Sequence, residues 1–188
     1  MQGGPSTDYN TVPFLGARRQ QTHAMKKIEY RNLPTLLLKA REVMLAQFRP
    51  IISHFGLTEQ QWRILRTLSD AGELEQREVA AACVILAPSL TGVLSRMEEL
   101  GLIVRTRMEG DQRRVTVRMT AKGENVVETL GPLIIAQYRN VEQALGPELI
   151  AAVFDVMDRF TTAAQAPIAQ VPLPEPGAVG LEAARQPR

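Results

Sequence analysis

Residues Ala87–Leu102 read APSLTGVLSRMEELGL, and their pattern decides how the rest of the chain is read. Leu90, Val93, Leu94, Met97 and Leu100 recur at three- and four-residue spacing, which makes one apolar face of a helix. Pro88 suits the first turn, where its missing N–H costs no hydrogen bond. Gly101 ends the helix as the residue just past its last turn. Ser89, Thr91, Ser95 and Arg96 fall largely on other faces. Short hydroxyls and a guanidinium on a free helix face can contact base edges in a major groove. An ordinary solvated surface helix carries the same residue types.

The residues that follow favour the first reading. Leu102–Arg107 (LIVRTR) alternates apolar and basic residues in part, and Arg113–Met119 (RRVTVRM) does so clearly. Gly110 and Asp111 lie between them and turn the chain, so the pair predicts a β-hairpin with a charged tip. From Arg96 to Lys122 seven basic residues face four acidic ones, a local excess of +3 in a chain of net charge +2. A helix followed directly by a basic hairpin is the pattern of a winged DNA-binding module.

Composition bounds the alternatives. The chain has 188 residues, a pI near 8.9 and one cysteine, Cys83, set in apolar AAACVIL. One cysteine excludes an intrachain disulfide framework and a cysteine-rich metal site, and it fits a reducing cytoplasm. No apolar run reaches the length of a membrane span. The two histidines, His23 and His54, have no nucleophile motif around them, and neither HExxH, CxxC nor a glycine-rich phosphate loop occurs. The sequence therefore predicts no enzyme, no metal and no cofactor.

Taken in order, residues 1–32 form a flexible extension with basic Arg18, Arg19, Lys26, Lys27 and Arg31. Residues 33–56 read as a long dimerisation helix that Pro50 should kink or divide. Residues 57–122 make the winged helix-turn-helix. Thr58 and Gln61 form a capping box there, Leu57 and Trp62 a hydrophobic staple, and Val84–Leu86 the turn. Residues 123–163 hold two further dimerisation helices, bent at Gly131-Pro132 and separated at Gly146-Pro147. Residues 164–188, rich in Pro, Ala and Gly and without aromatics, should be disordered. The long helices carry more apolar surface than one small module can cover, which predicts a two-fold homodimer. Packing within one chain is the alternative. The fold class is mainly α with a small β-hairpin wing.

Three stretches then carry a resemblance: LTEQQWRILRTL at 57–68, PSLTGVLSRMEELGLIVR at 88–105 and GDQRRVTVRMTAKG at 110–123. From about Leu33 to Phe160 the chain resembles the MarR family of bacterial winged-helix transcriptional regulators. The last stretch has the family's wing pattern, here Asp111, Arg113, Thr120 and Gly123, with Met119 where a leucine is usual. Within the family it looks most like the branch that controls breakdown of aromatic acids, homoprotocatechuate first and nicotinate second. The resemblance implies a repressor released by a pathway intermediate.

The site expectations follow. Ser89, Thr91, Ser95 and Arg96 should read or grip a palindromic double-stranded operator, with recognition helices ~34–36 Å apart in the dimer. Arg113 should enter the minor groove, with Asp111 on the turn at Gly110 orienting it or another arginine, while Arg107 and Arg114 serve the backbone. A small aromatic carboxylate should bind near Arg41, Arg49, His54 and Trp62. Arg41 and Arg49 are eight residues apart and offset by roughly 80° around the helix, so they share a side only loosely. Arginine offers a fork to the carboxylate and Trp62 a wall to the ring. Structural ion pairs and a plain core tryptophan are the alternative, as are donors from Arg18, His23 or Arg31. The competing function is a dimeric interaction module that reads no DNA. A uniformly acidic or apolar free face on the helix would favour it, and this sequence has Ser, Thr and Arg there instead.

Overall fold

The helix starts follow from their caps. Thr58 Oγ1 accepts from the Gln61 N–H at 3.2 Å, and Gln61 Oε1 accepts from the Thr58 N–H at 2.9 Å. This reciprocal pair satisfies two donors that a helix end otherwise leaves open. Asn32 and Thr120 cap two more helices through their side chains. In the computed structural model, residues 30–108 and 110–173 are described, apart from the side chains of residues 108 and 111–113. The elements are α1 (Leu33–His54), α2 (Glu59–Ala71), β1 (Leu74–Glu75), α3 (Gln76–Ala82), α4 (Ala87–Glu99), β2 (Ile103–Met108), β3 (Asp111–Met119), α5 (Ala121–Leu145) and α6 (Pro147–Ala163). The flexible extension expected at 1–32 falls outside the described residues up to residue 29, and the tail does so from 174. Residues 167–173 take no regular structure and are exposed.

The hairpin β2–β3 is antiparallel, with Ile103 opposite Met119 and Arg105 opposite Val117. Leu74 and Glu75 add β1 on the other edge of β3, giving the order β1-β3-β2. The chain bends by 109° between α3 and α4, within the helix-turn-helix range. The turn between them has no glycine, and Val84 takes the left-handed conformation itself, with φ 49°. A β-branched side chain is strained there. Four bonds hold the turn: the N–H groups of Cys83, Val84 and Ile85 donate to Val79, Ala81 and Ala80, and Arg63 donates to the Cys83 carbonyl at 2.7 Å. Cys83 and Ile85 are buried beneath it.

The core sits in this module. Ile64, Leu65 and Leu68 of α2, Val79 of α3, Leu90, Leu94 and Met97 of α4, and Ile103 and Val117 of the sheet are all fully buried. Phe48 and Ile52 of α1 and Leu130 and Ile134 of α5 extend it. Gly123 fixes the joint between wing and α5. A Cβ there would lie 2.2 Å from the Leu102 carbonyl oxygen, so no side chain fits. Thr120 Oγ1 closes the same joint by donating to the Gly101 carbonyl at 2.6 Å.

Pro50 does not divide its helix: α1 runs through it as one element, and α5 likewise continues through Pro132 without ending there. The carbonyls that lose a donor are those of Ala46 and Glu128, four residues earlier. Both residues are exposed, so water can satisfy them.

Candidate DNA-binding and effector sites

On α4 the apolar face is inward and the polar face is free. Ser89, Thr91 and Arg96 are exposed. Thr91 Oγ1 donates weakly to the Ala87 carbonyl at 3.4 Å and accepts from Gln76 Nε2 at 3.3 Å. Arg96 pairs with Glu99 at 2.9 Å, an exposed i,i+3 contact that a DNA phosphate can replace at small cost. Ser95 is placed differently: it is half-buried and accepts from Arg105 Nη2 at 3.3 Å.

That bond belongs to a clamp that the sequence reading did not find. Arg105 on β2 donates through Nε and Nη2 to Glu98 on α4, at 3.0 and 2.6 Å, and its backbone N–H donates to Glu98 at 3.1 Å. The Arg105 side-chain hydrogen bonds hold the Glu98 carboxyl below its ordinary pKa, against the opposing effect of burial. The clamp fixes the wing strand against the last turn of α4. Its members are ten and seven residues apart in sequence, so no helical or strand period reveals it.

In the wing, Gly110 takes φ 87° at the tip. Asp111 and Arg113 lie in β3 by their backbones, but their side chains lie outside the described residues, as does any ion pair between them. Arg107 is exposed. Arg114 is engaged by Glu75, which also pairs with Arg77 at 2.9 Å. The Arg114 hydrogen bond lowers the Glu75 pKa, and so does the charge of Arg77. Arg114 therefore ties β3 to the start of α3 in the free protein.

The four residues expected around a ligand do not share one cavity. Arg49 donates to Glu59 at 2.8 Å and to Glu42 at 3.0 Å, and Arg41 lies 3.8 Å from Glu59. Arg41, Arg49 and Glu59 border a cavity of about 430 Å³ on one side of α2. The Glu59 and Glu42 carboxylates raise the Arg49 pKa, chiefly through hydrogen bonds. His54 is exposed, stands edge-on to Phe55 and lines neither cavity described here. Trp62 faces elsewhere, into a cavity of about 540 Å³.

That larger cavity lies between α2 and the helices α5 and α6. Trp62 and Arg66 come from α2, Ile134, Tyr138 and Glu142 from α5, and Ile150 and Phe154 from α6. Tyr138 is steadied by Phe48, with ring centroids 4.5 Å apart. Arg66 donates through Nε to Asp70 at 3.1 Å, an exposed i,i+4 pair that is easily exchanged. Apolar walls, three aromatic side chains, one guanidinium and one carboxylate suit a planar molecule with an acid group and a hydroxyl. Arg66 and Tyr138 were missed by the sequence reading. Arg66 was within its reach, since it lies four residues beyond Trp62 on the same face of α2.

Among the described residues no group of three His, Cys, Asp or Glu could hold a metal, and no single helix is long and apolar enough to cross a membrane. Residues 57–115 match the model of the MarR family. The transcriptional regulator FarR of Neisseria gonorrhoeae is 44% identical over 102 residues, covering 54% of this chain and 70% of that protein. The homoprotocatechuate degradative operon repressor of Escherichia coli is 40% identical over 108 residues, 57% of this chain and 73% of that one. The structure of NadR in complex with 4-hydroxyphenylacetate superposes with a TM-score of 0.64 at 36% identity, covering 70% of this chain and 96% of NadR. The winged helix-turn-helix, the extent of these matches and their identity together show that the chain belongs to the MarR family of transcription regulators, which are DNA-binding proteins and not enzymes.

Proposed function

We propose that the chain is a cytoplasmic, homodimeric repressor of genes for aromatic-acid breakdown, and that a small aromatic carboxylate releases it from a palindromic operator. The observation that carries this reading is the Trp62–Arg66–Tyr138 cavity, because of where it lies. α2 belongs to the DNA-binding module, whereas α5 and α6 lie outside it. A ligand held between them can favour one spacing of the recognition helices over another, which is what release requires. Arg66 anchors the carboxylate, Trp62 and Tyr138 sandwich or edge the ring, and Glu142 accepts from a ring hydroxyl. The name of the Escherichia coli relative and the ligand in the NadR complex support this class of effector. Homoprotocatechuate-type acids stand first and hydroxynicotinates second.

DNA is gripped by Ser89, Thr91 and Arg96 of α4 and by the wing, through Arg107, Arg113 and Arg114. Arg114 exchanges Glu75 for phosphate, and Asp111 on the Gly110 turn orients Arg113. Ser95 acts through Arg105, not on DNA directly. The dimer forms through α1, α5 and α6. Leu149, Val153, Phe154 and Met157 of α6 are 37–60% exposed, more apolar surface than a lone chain normally leaves bare along one helix.

Trp62 is the single tryptophan, so its fluorescence reports the cavity directly. Titration with 4-hydroxyphenylacetate should change that fluorescence saturably in the wild type and in Arg49→Ala, and much more weakly in Arg66→Ala. Binding to a duplex selected from random sequence should fall steeply with salt. Equal responses in both variants would remove Arg66 as the anchor, and failure to select any duplex would remove the DNA reading.

A further inference from the structure

α4 carries a glycine at its outermost point. Gly92 stands two residues from Leu90 and two from Leu94, each about 200° away around the axis, and both leucines are fully buried. Gly92 is therefore diametrically opposite the core. Glycine weakens a helix interior relative to alanine, so its presence needs a reason. The free protein supplies none. Its backbone is helical and not left-handed, and a Cβ placed on it would meet nothing within 4 Å. Gly123 is the contrast in the same chain, since its missing Cβ makes room for a backbone carbonyl at 2.2 Å. Nothing in the chain fills the space that the missing Cβ of Gly92 leaves open.

Its neighbours on the free face say what that space admits. Ser89 and Arg96, three before and four after, lie beside it on one edge, and Thr91 lies on the other. These are the side chains assigned to DNA above, and two of them are short. Short hydroxyls reach base edges only when the helix axis comes close.

We infer that Gly92 marks the point of closest approach between α4 and the floor of the major groove, and that its missing Cβ sets how deeply the helix seats. This inference rests on the DNA-binding role of α4. A methyl group at residue 92 holds the helix away from the bases, so Ser89 and Thr91 lose their base edges. Phosphate contacts from the longer arginines tolerate the shift. Gly92 thus determines specificity through shape, without a donor or acceptor of its own.

The test uses the full chain, a duplex selected from random sequence by the wild type, and an unselected duplex of equal length. Gly92→Ala should raise the Tm by about 2–4 °C, because alanine favours the helix and nothing crowds it. It should leave 4-hydroxyphenylacetate binding, read from Trp62 fluorescence, unchanged. Affinity for the selected duplex should fall at least about tenfold, while affinity for the unselected duplex changes by less than about twofold. Gly92→Val should weaken selected binding further. The inference is overturned if Gly92→Ala binds the selected duplex as tightly as the wild type, if it loses both duplexes equally, or if its Tm falls. A wild type that selects no duplex would instead overturn the DNA-binding role itself.

Discussion

α4 and α6 are both amphipathic helices, and their surroundings could hardly differ more. α4 buries Leu90, Leu94 and Met97 completely. It is held at its start by the hydrogen-bonded turn at residues 83–86 and near its end by the Arg105–Glu98 clamp. α6 buries no residue, although Leu149, Val153, Phe154 and Phe160 are as apolar as anything in α4. Amphipathicity alone therefore does not say what a helix packs against. One chain completes the fold of the helix-turn-helix module, whereas α6 is left bare, the face to which the proposed dimer assigns a second copy.

Breaking each helix should accordingly give opposite outcomes. Leu94→Ala removes a fully buried side chain and should lower the unfolding free energy by ~2–5 kcal/mol, measured by urea denaturation. Phe154→Asp should leave the far-UV spectrum of the helices intact yet shift the protein from dimer to monomer by light scattering at micromolar concentration. A Phe154→Asp protein that unfolds outright, or remains a dimer, would contradict the contrast.

Smaller changes sharpen it at the two ends of α4. Val84→Gly relieves a left-handed β-branched residue and should stabilise the chain by up to ~1 kcal/mol, part of the gain being offset by glycine's greater freedom when unfolded. The smallest effect concerns pH. Glu98 has a lowered pKa in the folded state because Arg105 binds its charged form. Its contribution is therefore fully present above the ordinary glutamate range and is lost as pH falls through the depressed folded value. Replacing Glu98 with Gln should flatten that acid limb of the stability curve and leave its neutral region little changed in shape.

Much of this contrast was legible in the sequence, because periodicity and caps are local. The Thr58–Gln61 box, the Thr120 cap, the wing strands and the α6 stripe all sit where their residues imply. The excess apolar surface on the terminal helices was legible too. What depended on tertiary approach was not. Arg49 stood open between a ligand anchor and a structural ion pair because Glu59, on the next helix, could not be brought to it from the linear chain. Ser95 read as outward because Arg105 arrives from a strand. Pro50 left a divided helix open as a reading because the exposure of Ala46, whose carbonyl it orphans, is a property of the folded surface.

The proposed effector joins the two halves of the molecule: an acid in the Trp62–Arg66–Tyr138 cavity should make α4 release DNA. Fluorescence anisotropy of a labelled selected duplex, titrated with 4-hydroxyphenylacetate, tests it most directly in the wild type, Arg49→Ala and Arg66→Ala. The wild type and Arg49→Ala should release the duplex over the same concentration range. Arg66→Ala should bind the duplex normally and hold it at concentrations at least about tenfold higher. Release of Arg66→Ala over the wild-type range would show that the effector does not act through Arg66.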